Sequence, residues 1–278
     1  MRTVKAAEIT DIVARTVVEA NIKAPADVLR AFETALETET SPAGREIMAQ
    51  LLENVKLAGD TGLPLCQDTG LAVFFVELGS ECRVDNDLYQ AINQGVRQGY
   101  EQGYLRKSAC HPLTRKNTGD NTPAVIHLDL VPGDRIRIRF MAKGGGSENM
   151  SRATMLTPAQ GWEGIKKFVI QRVAEAGPNP CPPTIVGIGI GGTFDYAPIL
   201  AKKALFRPLD QKNRDPEMAA MEDELFAALN DLGIGPMGMG GQTTVLGVKI
   251  EMAPCHIASL PLAVNIQCHS ARHKEVVI

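Results

Sequence analysis

The stretch GPNPCPPTIVGIGIGGTFD, residues 177–195, sets the fold reading. Pro178, Pro180, Pro182 and Pro183 stiffen a loop around Cys181, because each ring fixes its own φ. The apolar run Thr184–Ile190 then reads as a buried strand, Gly191-Gly192 as a tight turn, and Asp195–Leu205 as a helix. Within it, Gly187-Ile188-Gly189-Ile190-Gly191-Gly192 matches the G-x-G-x-x-G pattern of dinucleotide sites, and Asp210 stands near the spacing of a ribose-binding acid. No regular βαβ unit follows, however, and Ile188 and Ile190 put the first glycines inside the strand. A strand closely packed against neighbouring backbone is the stronger reading. An NAD-binding enzyme is the weaker one.

Upstream, residues 1–60 read as helices. Ile9, Ile12, Val13 and Val17 share one helical face; Asp27 is placed to cap a helix through Leu29, Phe32 and Leu36; Arg45 to Leu57 carries Ile47, Leu51, Leu52 and Val55. The pattern changes in residues 61–278. A loop, Gly62–Gly70, feeds the strand Leu71–Glu77, followed by a helix from about Asp87 to Gly103 and a polar loop, Arg106–Asn121. Strands Ala124–Val131 and Arg135–Ala142 flank Pro132-Gly133-Asp134, the pattern of a hairpin. Ile136 and Ile138 alternate with Arg135, Arg137 and Arg139, which gives that strand one wet face. Downstream of the opening stretch come a helix at Pro216–Leu232, a glycine-rich loop at Gly233–Gly241, and strands at Thr243–Glu251 and Leu262–Ile266. This irregular order predicts an α+β fold: a mixed β-sheet with helical cover and an N-terminal helical segment, in a single large domain over 1–278.

A chain of 278 residues can bury a sizeable core, and 44% hydrophobic with 22% charged residues is ordinary for a globular protein. A net charge of -3 gives no general attraction for nucleic acid or an anionic membrane, though it leaves room for a local basic pocket. The first twenty residues carry Glu8 and Asp11 and lack the apolar core of a secretory signal, and apolar runs such as Leu71–Val76 are too short to span a bilayer. A cytoplasmic address is expected. In a reducing compartment the six cysteines are buried thiols or ligands rather than a disulfide scaffold.

There is no C-x-x-C, so neither a zinc ribbon nor a ferredoxin-type cluster is signalled. Cys66, Cys181 and Cys268 each sit in or beside a loop with polar or proline neighbours, which suits either a shared metal site or ordinary reduced thiols. Cys82 and Cys110 read as surface or loop thiols, and Cys255, beside His256, as a weaker second candidate. His127 lies within a strand and reads as structural. His256, at a strand end, is the best histidine for acid–base work or substrate contact, against the plainer reading of a satisfied core histidine. Lys143-Gly144-Gly145-Gly146-Ser147-Glu148-Asn149 enters a short helix and could present backbone N–H groups to an anion, or be a plain turn.

Taken together, several segments resemble the α region of the class I iron–sulfur fumarases and the related L(+)-tartrate dehydratases. They are GLPLCQDTG (62–70), GYLRKS (103–108), NTGDNTPAVIH (117–127), KGGGSENMS (143–151), the opening stretch, GIGPMGMGGQTTVLGVKIE (233–251) and HIASLPLAVNIQCHSARH (256–273). The resemblance implies a [4Fe-4S] cluster held by Cys66, Cys181 and Cys268. It leaves one iron open as a Lewis acid toward a C4 dicarboxylate, in the way a catalytic zinc keeps a free position. It implies reversible hydration of fumarate to L-malate, with L(+)-tartrate dehydration as the alternative. It places Gln67, Asp68, Arg106, Gly145, Gly146 and His256 around the substrate, with Asp68 and His256 orienting it or relaying protons. Because the chain stops at Ile278, it is similar to the two-subunit form. A separate β subunit is then expected to complete an α2β2 enzyme, or one built on a homodimer of α, that is inactive without it. The rival from another class is a non-catalytic iron–sulfur redox or iron-sensing protein.

Overall fold

A computed structural model describes all 278 residues, Met1–Ile278. In chain order the elements are β1 (Arg2–Val4), α1 (Ala6–Ile22), α2 (Ala26–Thr38), α3 (Pro42–Thr61), β2 (Leu71–Gly79), β3 (Cys82–Val84), α4 (Leu88–Gln102), β4 (Val125–Val131) and β5 (Ile136–Lys143). They continue with α5 (Gly145–Asn149), β6 (Arg152–Leu156), α6 (Gly161–Ala176), β7 (Thr184–Gly191), α7 (Tyr196–Ala204), α8 (Pro216–Asn230), β8 (Val245–Ala253), β9 (Leu260–Gln267) and β10 (His273–Val277). The expected mixture of helices and mixed sheet is what forms. The chain gathers into two compact units, residues 1–25, 55–145 and 272–278 in the first, 26–54 and 146–271 in the second.

In the first unit a four-stranded sheet has the order β10-β5-β2-β4, with β2 parallel to β4 and antiparallel to β5. Ile9, Val13 and Val17 of α1 and Ile92, Val96 and Tyr100 of α4 form its apolar cover, packed with Phe74, Ile136, Ile138 and Phe140 of the sheet. Each such side chain contributes roughly 1.5–3 kcal/mol when fully buried. On the other face of β5, Arg137 and Arg139 pair with Glu77 of β2 and Glu275 of β10, as the alternation predicts. The more exposed of these pairs, those of Arg137, are worth at most about 1 kcal/mol each, less than one buried apolar side chain. Helix α4 starts where Asp87 accepts the Gln90 N–H at 3.1 Å, an N-cap.

The hairpin expected at Pro132–Asp134 does not form, because β2 lies between β4 and β5. The connection instead arches over the end of β2. Gly79 and Glu81 donate N–H groups to the Arg135 and Gly133 carbonyls, and Ser80 donates to Val131. A Cβ on Gly79 would come within 2.3 Å of the Gly133 oxygen, so a glycine is what lets the arch close. Cys82 also departs from expectation. It lies in β3, 6% exposed within the apolar core, since the short β1–β3 pairing turns it inward. His127 stacks on Phe75 at 4.6 Å, a packing role as expected.

The second unit holds the sheet β6-β9-β7-β8, with β9 antiparallel to β6 and β7, and β7 parallel to β8. All eight residues of β7 are buried. Val186, Ile188 and Ile190 meet Ile165, Val169 and Val173 of α6 and Leu225 and Leu229 of α8. The alternate positions, Gly187 and Gly189, face α7 so closely that a Cβ would fall 2.2 Å from the Ala201 oxygen and 2.0 Å from the Ala197 oxygen. The glycine pattern at 187–192 is therefore a packing device. In α2 the buried stripe is Val28, Phe32 and Ala35, one residue before the expected one at Leu29 and Leu36. Asp27 sits inside the first turn rather than capping it, and its Oδ2 accepts the Leu209 N–H at 2.8 Å. No helix of the chain is long and apolar enough to cross a membrane.

Candidate active site

The first unit supplies one group of candidate residues from the loop before β2. Leu65 donates its N–H to the Asn21 carbonyl at 2.8 Å and anchors that loop on α1. Cys66 follows, half-buried and free, its thiol facing the Gln67 Oε1 at 3.4 Å. Asp68 is the most constrained side chain of the group. Its Oδ1 accepts the Gly70 N–H at 3.1 Å and the Ser108 hydroxyl at 3.3 Å, and its Oδ2 accepts the Gly145 N–H at 3.0 Å. Arg272, 1% exposed, donates to the Asp68 carbonyl. Burial pushes the Asp68 carboxyl up; the Gly145 and Gly70 N–H groups, the Arg272 guanidinium and the Ser108 hydroxyl outweigh it and hold the pKa below the usual range. Asp68 is thus a carboxylate at neutral pH.

Two further residues lock the same loop. Tyr100 donates its hydroxyl to the Thr69 and Gly70 carbonyls at 2.8 and 3.2 Å. Asn121 donates to the Gly70 carbonyl at 3.1 Å and accepts the Ser108 and Ala109 N–H groups. Thr69 donates to the Arg106 carbonyl at 2.9 Å, which ties that residue's backbone to the loop. The Arg106 side chain is exposed and engages no carboxylate, so its fork of donors remains open to an anion. Gln67 and Gly145 are exposed as well, and a Cβ at Gly145 would meet nothing within 4 Å. The Gly145 N–H itself is already taken by Asp68.

The second unit supplies the other group. Cys181 adopts φ +55°, an uncommon conformation for a residue with a Cβ, inside the proline-rich turn. Its carbonyl accepts the N–H of His269 at 3.2 Å and faces that ring's Nδ1 at 3.1 Å, while the His269 ring edge rests on Phe32. Cys181 and Cys268 are thereby brought onto hydrogen-bonded neighbouring backbones. Met237 steadies the same turn by donating its N–H to the Pro182 carbonyl at 2.7 Å. Cys268 is half-buried, with the Gln267 Nε2 at 3.9 Å from its sulfur. Gly146 is exposed at the start of α5.

His256 comes from a different loop of the same unit. It is exposed on the loop after β8, and its Nδ1 accepts the Ala258 N–H at 3.1 Å, which leaves the proton of a neutral ring on Nε2. The ring borders a mostly apolar cavity of about 360 Å³ lined by Trp162, Ile190, Met252 and Leu260. Cys255 is exposed and its thiol is turned toward the Ser259 carbonyl at 3.2 Å. None of the six cysteines is in a disulfide. No group of three His, Cys, Asp or Glu side chains surrounds a point that a single metal ion would fill.

The donor chemistry of Cys66, Cys181 and Cys268 fits an iron–sulfur group: three partly exposed thiols outside any disulfide, on constrained loops, one with an amide N–H directed at its sulfur. Sequence reading missed Arg272, Ser108, Tyr100 and Asn121. Ser108 and Asn121 lie in quoted polar segments, and Arg272 follows Cys268 by four positions. Tyr100 gave no signal beyond its place on a helix face.

Comparison with known proteins adds a second line of observation. The sequence model described as fumarate hydratase (fumerase) matches residues 10–277. A protein of Methanocaldococcus jannaschii named putative L(+)-tartrate dehydratase subunit alpha is 44% identical over 272 residues, covering 95% of each chain. The L(+)-tartrate dehydratase subunit alpha of Escherichia coli O157:H7 is 34% identical over 98% of this chain and 91% of its own, and that of strain K12 is 33% identical over the same shares.

Proposed function

From the premise that this chain belongs to the fumarate hydratase family of hydro-lyases, we propose that it is the cluster-bearing α subunit of a two-subunit enzyme that reversibly hydrates fumarate to L-malate. The observation that carries this reading is the juxtaposition of Cys181 and Cys268 through the Cys181 carbonyl and the His269 N–H. With Cys66 they are the residues that would hold a [4Fe-4S] cluster. When bound, such a cluster supplies an iron free of protein ligands, a Lewis acid that makes hydroxide a better leaving group.

The protein's own residues would do the rest. Arg106 offers a planar fork to one substrate carboxylate. Gly145 and Gly146 allow close approach of the dianion, and Gln67 presents an amide to it. Asp68, held ionised, accepts rather than supplies a proton, and so orients the substrate hydroxyl or takes its hydrogen. His256 offers Nε2–H as a donor. We assign the principal base for the proton beside the carboxylate to the β subunit, and the assembly to α2β2 in the cytoplasm. The relatives named as subunit alpha support the partner.

Those names also favour a second reading, L(+)-tartrate as substrate. Tartrate differs from malate by one added hydroxyl, so the same carboxylate contacts serve either. The experiment is anaerobic reconstitution of the chain with iron and sulfide, absorption and EPR spectra with and without L-malate, then assay with its β subunit. Fumarate, L-malate and both tartrate enantiomers are tested in parallel. Turnover of fumarate and malate supports the first reading and turnover of L(+)-tartrate alone supports the second. An assembled, cluster-loaded enzyme that turns over none of them overturns both.

A further inference from the structure

We infer that Gln267 is a positioning residue for the Cys268 sulfur, its amide N–H directed at the atom that would bind iron; this rests on the cluster reading above. Gln267 closes β9, a strand whose other buried positions are mostly apolar, and it is itself only 2% exposed. Its Nε2 lies 3.9 Å from the Cys268 sulfur, while its Oε1 is buried with no hydrogen-bond partner. A glutamine kept for packing alone would have both ends of its amide satisfied, or would be better replaced by an apolar side chain of the same length. One satisfied end, aimed at sulfur, is the signature of a group retained for what it does to that sulfur.

The physical effect follows from charge. An N–H directed at a thiolate stabilises its negative charge, and stabilises the more negative, reduced state of a cluster above the oxidised one. It also fixes the side-chain rotamer from which the sulfur reaches out. Cys66 is flanked differently, since the group facing its thiol is the Gln67 carbonyl oxygen, an acceptor that suits S–H and not a thiolate. Cys66 and Cys268 are thus unequal in their surroundings, with the N–H donor at Cys268.

The test uses the full chain, reconstituted anaerobically, with Gln267→Met (same length, no donor) and Gln267→Glu (same shape, donor replaced by a negative oxygen). Three quantities are read: thermal unfolding of the apo chain, the rate of iron loss to a chelator, and the cluster reduction potential by EPR-monitored titration. The Met variant is expected to be at least as stable as wild type without iron, yet to lose iron about tenfold faster, with a more negative potential. The Glu variant moves further in both. Wild-type potential and iron-loss rate in both variants would overturn the role of Gln267 while leaving the cluster reading intact. A wild-type chain that takes up no cluster overturns both. Should the Met variant fail to fold, the Glu variant alone decides by its potential.

Discussion

Replacing Glu39 by Gln tests how the second unit is held together. Glu39 follows α2, is 1% exposed, and accepts three backbone N–H groups: Ser41 and Gln242 on Oε1, both at 3.0 Å, and Thr243 on Oε2 at 2.8 Å. Gly44 and Gly241 leave room for the carboxylate, since a Cβ on either would come within 3.0 Å of it. A glutamine can keep the two bonds to Oε1, but its Nε2 then faces the Thr243 N–H, donor against donor. Stranding that buried N–H costs about 1–3 kcal/mol, and the two surviving bonds lose their charge assistance. The expected destabilisation is about 2–3 kcal/mol, or roughly 3–5 °C in Tm for a chain of this size.

The pH dependence gives a second, sharper reading. Burial pushes the Glu39 carboxyl up, and the Ser41, Gln242 and Thr243 N–H groups outweigh it, so its folded pKa lies below its ordinary 4.5. A depressed carboxylate stabilises the fold fully above its unfolded pKa, and that contribution fades as pH falls through the folded value. The gap between wild type and the variant, measured by urea unfolding, should therefore be full at pH 7 and narrow below about pH 4.5. Equal stabilities at pH 7, or a gap that does not change on acidification, would refute the reasoning.

Other outcomes follow from features already described. Gly189→Ala should lower the unfolding free energy by about 3 kcal/mol or leave the chain insoluble, because the new methyl meets the α7 backbone; wild-type stability would mean that α7 does not rest on β7 at this position. Arg106→Ala should raise the KM for dicarboxylate in the assembled enzyme about 10- to 100-fold, with unfolding unchanged because the guanidinium has no structural partner. Single serine replacements of Cys66, Cys181 and Cys268 should each abolish retention of reconstituted iron, whereas Cys255→Ser should keep it; iron and sulfide analysis checks both.

The long elements were legible because their patterns are local. The periodicities of α1, α4 and α6 and the apolar run of β7 announce themselves within a window of a few turns. The position of β2 between β4 and β5 was not, because parallel β2–β4 pairing is set by contacts about fifty residues apart while Pro-Gly-Asp suggests a local turn. The short strands β1, β3, β6 and β10 carry too few residues for alternation to register. At the site, Cys66, Cys181 and Cys268 could be picked out as loop thiols among polar or proline neighbours. Their surroundings could not: the use of the Gly145 N–H by Asp68 depends on tertiary approach. Gln267 lies one residue past the strand as read from the sequence, Leu262–Ile266, and carried no local signal of its own.

Gly187 and Gly189 remove the usual layer of side chains between helix and sheet, and Ala197, Ala201 and Ala263 shave the facing surfaces too. Side chains between two elements act as a lubricated bearing, able to change rotamer as one slides past the other. Without that layer, backbone rests on backbone, and α7 has no intermediate positions to visit. Strand and helix must then travel as one plate. Deuterium entering the protein should reach the amides of β7 among the last, and together with those of the buried face of α7.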